Sequence, residues 1–384
     1  MNPDEKRRVA VVGAGVIGVM SAWQLAERGF DVTVFDQWNT PNDRGASAGE
    51  SRIFRTVYKE GAEYVPLLRK SLQLWRRLQE NQSTKVLEMC GGLMIGHTWQ
   101  ADVAAVIDCA QQTGLEHRVL STAEMAEEYP QFGLDEGEVG VYDPGAGVFR
   151  PELAVLAARN EGMRLGAAYR PYTRVLGIRP VRSGVMVDTA DGPEAFDTVV
   201  VATGPWVNEL SGLGRDLVVP RRLVAGWFPA RDVPLHQPAR MPISIRRHEE
   251  GGFSCFPVLD GAAVKILPHH LPWKDLDAPE DLPRLVEPET VRAAERAVER
   301  LMPGLEPTAI RVSTWTEGFA VDETPVVGPS PVDDRILLAV GMSGQGFKFS
   351  PMVGSVIADY AQTGSSDDAV AVMDSLRFSR GERS

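Results

Sequence analysis

The chain is poor in cysteine, in net positive charge and in long apolar runs, and each shortage removes a class of function. Among 384 residues there are three cysteines, Cys90, Cys109 and Cys255. They are too few and too scattered for a disulfide framework, and their spacing is not that of metal ligands, so no metal site is expected. Lys plus Arg total 40 against 52 Asp plus Glu, a net charge of -12, which disfavours a phosphate backbone or an anionic membrane as partner. No apolar stretch approaches the ~20 residues needed to cross a bilayer. The first ten residues, MNPDEKRRVA, run straight into a strand-like segment, and a cytoplasmic protein in a reducing compartment is expected. No internal repeat or low-complexity tail is present. What remains is ordinary globular composition, 43% hydrophobic and 24% charged. At roughly 150 residues per domain the length suits two or three domains, or one large α/β enzyme.

The strongest local pattern begins at Val9. Val9–Val12 is a β-branched run, Gly13-Ala14-Gly15-Val16-Ile17-Gly18 follows, and a helix-forming stretch continues to Arg28, with Gly29 where a helix C′ residue belongs. Residues 31–36 then read as a second strand ending on Asp36. The glycines serve a tight turn, a close backbone approach to a pyrophosphate and close helix-to-strand packing. Val16 and Ile17 open the helix whose N-terminus faces the anion, and Asp36 reaches ribose hydroxyls. This is a dinucleotide fingerprint, but it does not separate NAD from FAD.

Two distant segments repeat the theme of a strand followed by glycine. Residues 197–206 read DTVVVATGPW, and residues 336–348 read ILLAVGMSGQGFK. After the latter a helix is expected with Ser350 as N-cap, Pro351 at its first position, an apolar face through Val353, Val356, Ile357, Tyr360 and Ala361, and Gly364 as its stop. No second GxGxxG lies between a strand and a helix, so no separate nicotinamide site is found, which favours a tightly held flavin.

Three motifs, VVGAGVIG near the start, GASAGESRIFR at 45–55 and VGMSGQGFKFSPMVG at 340–354, resemble the flavin-dependent amine oxidases of the monomeric sarcosine oxidase and N-methyltryptophan oxidase family. That family sits within the broader D-amino-acid-oxidase-like group. VVVATGPW and AVKILPHH at 263–270 match more weakly, and together the matches span most of the chain. The resemblance implies an α/β fold: a Rossmann-like, glutathione-reductase-like FAD-binding domain with a second α+β substrate domain built on an antiparallel sheet. The expected division is 1–86, 147–219 and 313–384 for FAD, and 87–146 with 220–312 for substrate. It also implies cofactor contacts at Ser47, Arg52, Val175, Ala202, Gly204, Trp206, Gly341, Gly344, Gly346, Phe347 and Lys348.

By the same resemblance Arg52 lies by the flavin, while Arg55 and Lys348 hold the substrate carboxylate. A guanidinium fork plus an ammonium suits that group independently of any family. Lys265 assists electron transfer to dioxygen, His269 is an active-site histidine, and Trp315 and Gln345 line the substrate. Three departures stand out. Ser313 occupies the place of the family's flavin-linking cysteine, so FAD is expected to be noncovalent. Ala48 replaces a flavin-proximal histidine. Trp315 and Gln345 replace a tyrosine and a histidine, which counts against sarcosine itself. Trp227, Phe253, Phe256 and Trp315 are proposed cavity walls.

Elsewhere, helices are expected around Val103–Ala110 with a stop at Gly114, after a capping box from Ser121 to Glu124, and around Val291–Leu301. The function implied is a monomeric oxidase of a secondary amine or an N-methyl or cyclic amino acid. It passes hydride to flavin N5 and is reoxidised by O2, giving imine and hydrogen peroxide. A dehydrogenase using a quinone or a carrier protein, and a nucleotide-binding sensor without turnover, stay open.

Overall fold

The computed structural model describes residues 6–210, 217–248, 252–269, 274–368 and 373–378; His270 lies outside them. Arg8–Val12 sits near the middle of a six-stranded sheet, pairing in parallel with Asp31–Phe35 on one side and Thr198–Val201 on the other. Ala168–Arg170 extends the first flank, and Ile336–Val340 with antiparallel Val326–Pro329 the second. The central strand is buried on both faces, which is why it reads as a run of apolar residues without alternation.

The helix Val16–Glu27 packs between Pro151–Arg164 and the C-terminal helix Gly346–Thr363. The approach to the latter is close, since a Cβ on Gly354 would stand 2.6 Å from the Met20 carbonyl oxygen. Distant parts of the chain therefore meet on one layer, as the strand-glycine segments lead one to expect. An antiparallel meander, Val175–Val181, Gly184–Thr189 and Gly192–Phe196, lies beside this layer and shares its core.

The second layer is a nine-stranded sheet, antiparallel except where Ile243–Arg246 runs parallel to Gly92–Gly96. Its longest pairing joins Val218–Pro229 to Arg311–Ala320, so the strand bearing Ser313, Trp315 and Glu317 belongs to this sheet. Phe253–Phe256 and Ala263–Pro268 pair next to each other within it. A small sheet of Arg52–Phe54, Gly147–Phe149 and Leu87–Glu88 completes the strands near the site. The expected architecture, a Rossmann-like layer with a second part built on a largely antiparallel sheet, is the one the chain adopts. The helices Ala101–Thr113, with Gly114 at φ 62° as its cap, and Pro288–Leu301 lie where the sequence places them, and so does the Ser121–Glu124 capping box.

One expectation needs correction. The C-terminal helix starts at Gly346 and not after Ser350, which leaves Pro351 inside it. A proline there offers no N–H to the Phe347 carbonyl. The Ser350 hydroxyl supplies the missing donor at 2.9 Å, and the helix continues through to Gly364 at φ 80°.

Candidate active site

Between the two layers lies a cavity of about 350 Å³, and its two ends are built from different materials. At one end the backbone does most of the work. Gly13 adopts φ +98°, and a Cβ on it would stand 2.5 Å from the Ala202 carbonyl oxygen, so no other residue fits without moving the neighbouring strand. Gly18 is not part of the lining; a Cβ there would overlap the Gly13 carbonyl, so its role is packing. The helix Val16–Glu27 begins at Gly15 with no side-chain cap and no acidic residue in its first turn. Only its Val16 N–H has a side-chain partner, Ser47 Oγ at 2.9 Å. Such a terminus suits a phosphate. Asp36 accepts N–H bonds from Ala14 at 2.7 Å and Trp38 at 2.8 Å, and burial raises its carboxyl above the usual range.

The other end is built from side chains. The turn 46–51 is fastened from two directions. Arg52 donates to the carbonyls of Ser51 at 2.7 Å, Ala46 at 2.6 Å and Ala48. Lys265 Nζ donates to those of Gly49 at 2.7 Å and Ser51 at 3.3 Å. Lys265 is 3% exposed, and its ammonium faces the rings of Phe256, Trp315 and Trp227 at 4.8, 5.3 and 5.8 Å. Burial, reinforced by Arg52, holds its pKa well below that of an ordinary lysine.

Lys348 projects from the first turn of the C-terminal helix. Its ammonium donates to the Tyr58 hydroxyl at 3.3 Å and the Gln345 carbonyl at 3.2 Å, and that hydroxyl in turn donates to Gln345 Oε1 at 2.8 Å. Burial, and next Arg55, lower the Lys348 pKa to about 7. Arg55 lies over the Tyr58 ring at 4.6 Å and pairs through Nη2 with Glu60 at 3.1 Å. His269 closes the cavity from the second sheet. Its Nδ1 lies 3.2 Å from Arg247 Nη1 and its Nε2 2.9 Å from Ser254 Oγ. Arginine can only donate, so Nδ1 accepts and Nε2 carries the proton toward Ser254.

The cavity thus gathers Gly13, Gly15, Val16, Ile17, Asp36, Ser47, Arg52, Arg55, Val175, Ala202, Gly204, Trp206, Lys265, His269, Trp315, Gly344, Gln345, Gly346, Phe347 and Lys348 on one lining. Gly18 and Gly341 stand behind it, as do Ala48 and Ser313. Of the four aromatic residues proposed as walls, Phe256 and Trp315 face it, whereas Trp227 and Phe253 pack behind. None of the three cysteines lines it. Tyr58, Ser254 and Glu317 do belong to the site but were not singled out from the sequence. Tyr58 follows Arg55 by three residues, and Glu317 follows Trp315 by two on one strand face, so each had a spacing signal.

The geometry suits a flavin dinucleotide: a bare glycine turn and an open helix N-terminus for the pyrophosphate, a carboxylate for the ribose, and a wider end flanked by cations. Residues 8–360 match the profile of the DAO family, described as FAD dependent oxidoreductase. The chain belongs to this family. Among curated relatives it is 31% identical over 373 residues to a protein named monomeric sarcosine oxidase from Streptomyces avermitilis, a match covering 96% of this chain and 97% of the relative. It is 28% identical to N-methyl-L-tryptophan oxidase from Yersinia pestis, covering 96% and 98%. The resemblance read from the motifs is borne out. A solved structure described as NikD, an unusual amino acid oxidase essential for nikkomycin biosynthesis, shares the fold with a TM-score of 0.85 at 22% identity, covering 96% of this chain and 97% of the other. L-proline dehydrogenase from P. horikoshii does so at 0.84 and 21%, covering 98% and 99%. Among the described residues no helix is long and apolar enough to cross a membrane.

Proposed function

We propose that this FAD-dependent oxidoreductase is a monomeric oxidase of a secondary amine or of an N-methyl or cyclic amino acid, releasing an imine and hydrogen peroxide. The observation that carries the reading is the convergence of Arg52, Arg55, Lys265 and Lys348 on one cavity that also holds a dinucleotide turn. The names of the relatives, oxidases of N-methylated amino acids, support it. FAD, when bound, would accept hydride from the substrate and deliver the electrons to dioxygen.

The chain's own residues bind, orient and exclude water. Glu60 engages Nη2 of Arg55 and the Tyr58 ring lies under the guanidinium, and the fork, which lines the cavity, suits a carboxylate there. Lys348 adds its charge from the helix. Trp315 and Phe256 close the apolar side, and Gln345, held by the Tyr58 hydroxyl behind it, lines the cavity beside Lys348. Lys265 also lines the cavity, its ammonium held by two main-chain carbonyls and by no carboxylate among the described residues, so its charge acts on whatever anion develops there. Arg52 gives three N–H groups to carbonyls and so fixes the turn. In this reading the segments 1–86, 147–219 and 313–384 hold the cofactor and 87–146 with 220–312 cover it, the strand Arg311–Ala320 forming the seam.

FAD is held without a covalent bond, because Ser313 cannot form a thioether and no cysteine reaches the lining. Heat or acid denaturation should leave the yellow colour in the supernatant; colour on the precipitate would refute this. A panel of N-alkyl amino acids read by peroxide release tests the reaction, and flavin bleaching without peroxide would point to a dehydrogenase. Replacing Arg55 by alanine should weaken carboxylate binding by about 2 kcal/mol, roughly thirtyfold in Kd. An unchanged Kd would remove Arg55 from this role.

A further inference from the structure

Asp36 and Glu317 are the carboxylates among the described residues lining the cavity, and they are held differently. Asp36 accepts a backbone N–H on each oxygen. Glu317 accepts one, from Gly344 to Oε1 at 2.9 Å, and its Oε2 has no hydrogen-bond or ion-pair partner among the described residues. That leaves acceptor capacity on a carboxylate that lines the cavity.

The surrounding cations do not take up that capacity. Arg52 directs its nitrogens to three carbonyls, and Lys348 directs its ammonium to Tyr58 and Gln345. Arg221, opposite Glu317 on the paired strand, is taken by Asp275 and Glu323. Arg52 and Lys348 still attract Glu317 electrostatically, but burial prevails and raises its carboxyl above the usual range. The position is fixed by the strand: Glu317 projects to the same face as Trp315, and both line the cavity.

We propose that Glu317 is the base that takes the ammonium proton from a zwitterionic amino-acid substrate whose carboxylate is held by Arg55 and Lys348. This rests on the oxidase reading and names the ionic form of its substrate. In an amino acid the ammonium sits on the carbon next to the carboxylate, so the clamp that holds one group delivers the other into the cavity that Glu317 lines, beside the Gly344 turn to which Glu317 is hydrogen-bonded at 2.9 Å. An N–H bond breaks and an O–H bond forms on Glu317, while the electron pair stays on nitrogen. The amine is then neutral, the form from which hydride can depart, and the proton returns to water when the imine leaves.

The test is anaerobic stopped-flow reduction of the holoenzyme across pH, with FAD content checked by spectrum. With an N-methyl amino acid the wild type should react at neutral pH, well below the pKa of the substrate amine in water. In Glu317→Gln the acid limb should move up to that pKa, and the rate at neutral pH should fall roughly a hundredfold. Glu317→Asp should recover part of it, which guards against a simple disturbance of the Gly344 turn. An N-aryl amino acid, whose nitrogen arrives unprotonated, should suffer a much smaller deficit in Glu317→Gln. Equal losses with both substrates at every pH, or an unmoved limb, would overturn the proposal while the enzyme stays an oxidase. If the wild type oxidises no N-alkyl amino acid, it is the proposed function that fails.

Discussion

At the end of the cavity near Gly13, recognition is built from main chain, and the few side chains that matter, Ser47 and Asp36, are occupied with backbone N–H groups. At the end near Lys265 the arrangement is reversed: main-chain carbonyls of the turn 46–51 serve to position side-chain cations. The first end cannot be altered without displacing a strand or a helix. The second is built from separate side chains, Lys265, Trp315, Gln345 and Lys348 among them, and can change its chemistry one at a time. A fixed cofactor end joined to an adjustable reaction end lets one fold serve several amine substrates.

That contrast can be broken most severely at Gly18. A valine there would overlap the Gly13 carbonyl, and the expected outcome is a protein that takes up no FAD, checked by absorbance after offering the cofactor. Normal uptake would show that the main-chain end tolerates change and would dissolve the comparison. The next effect is at Lys265. A cation about 4 Å from a developing anion contributes at most about 4 kcal/mol at an effective dielectric of 20, or roughly a thousandfold in rate. In Lys265→Met the oxygen half of the cycle should therefore slow far more than the substrate half, and equal slowing in stopped-flow would reduce Lys265 to a structural lysine.

The smallest effect sharpens the distinction within the reaction end. Lys348, with a pKa lowered to about 7, carries its charge below that value and loses it as pH rises. Binding of a carboxylate inhibitor should accordingly weaken on the order of tenfold once pH has climbed a unit or so above 7, and Lys348→Met should flatten that dependence. A Kd that ignores pH in the wild type would mean that Lys348 does not meet the carboxylate.

The two ends were also unequally legible in the sequence. The glycine turn, Asp36 and the strands rejoining the first sheet follow from local spacing, because main-chain recognition leaves a contiguous signature. The basic cluster draws on residues 52, 55, 265 and 348, which the topology alone brings together, and the chain pattern by itself could not have said so. Family motifs supplied those positions. Glu317 escaped because an acid on a strand reads as a solvated face until the sheet is seen to turn that face inward. The start of the C-terminal helix was misplaced because Ser350-Pro351 imitates a cap and first turn, whereas the serine repairs the gap that the proline makes.

That repair also affects how the enzyme could acquire new substrates. The Phe347 carbonyl is served by Ser350, while the Lys348 carbonyl accepts from Ser71 and from Trp75 Nε1 at 3.2 Å on the helix Val65–Glu80. The turn bearing the ammonium is thus tied to a neighbouring helix as well as to the helix it opens. Mutations on that neighbouring helix, out of reach of any ligand, can re-aim Lys348 by fractions of an ångström while the rest of the C-terminal rod stays wound.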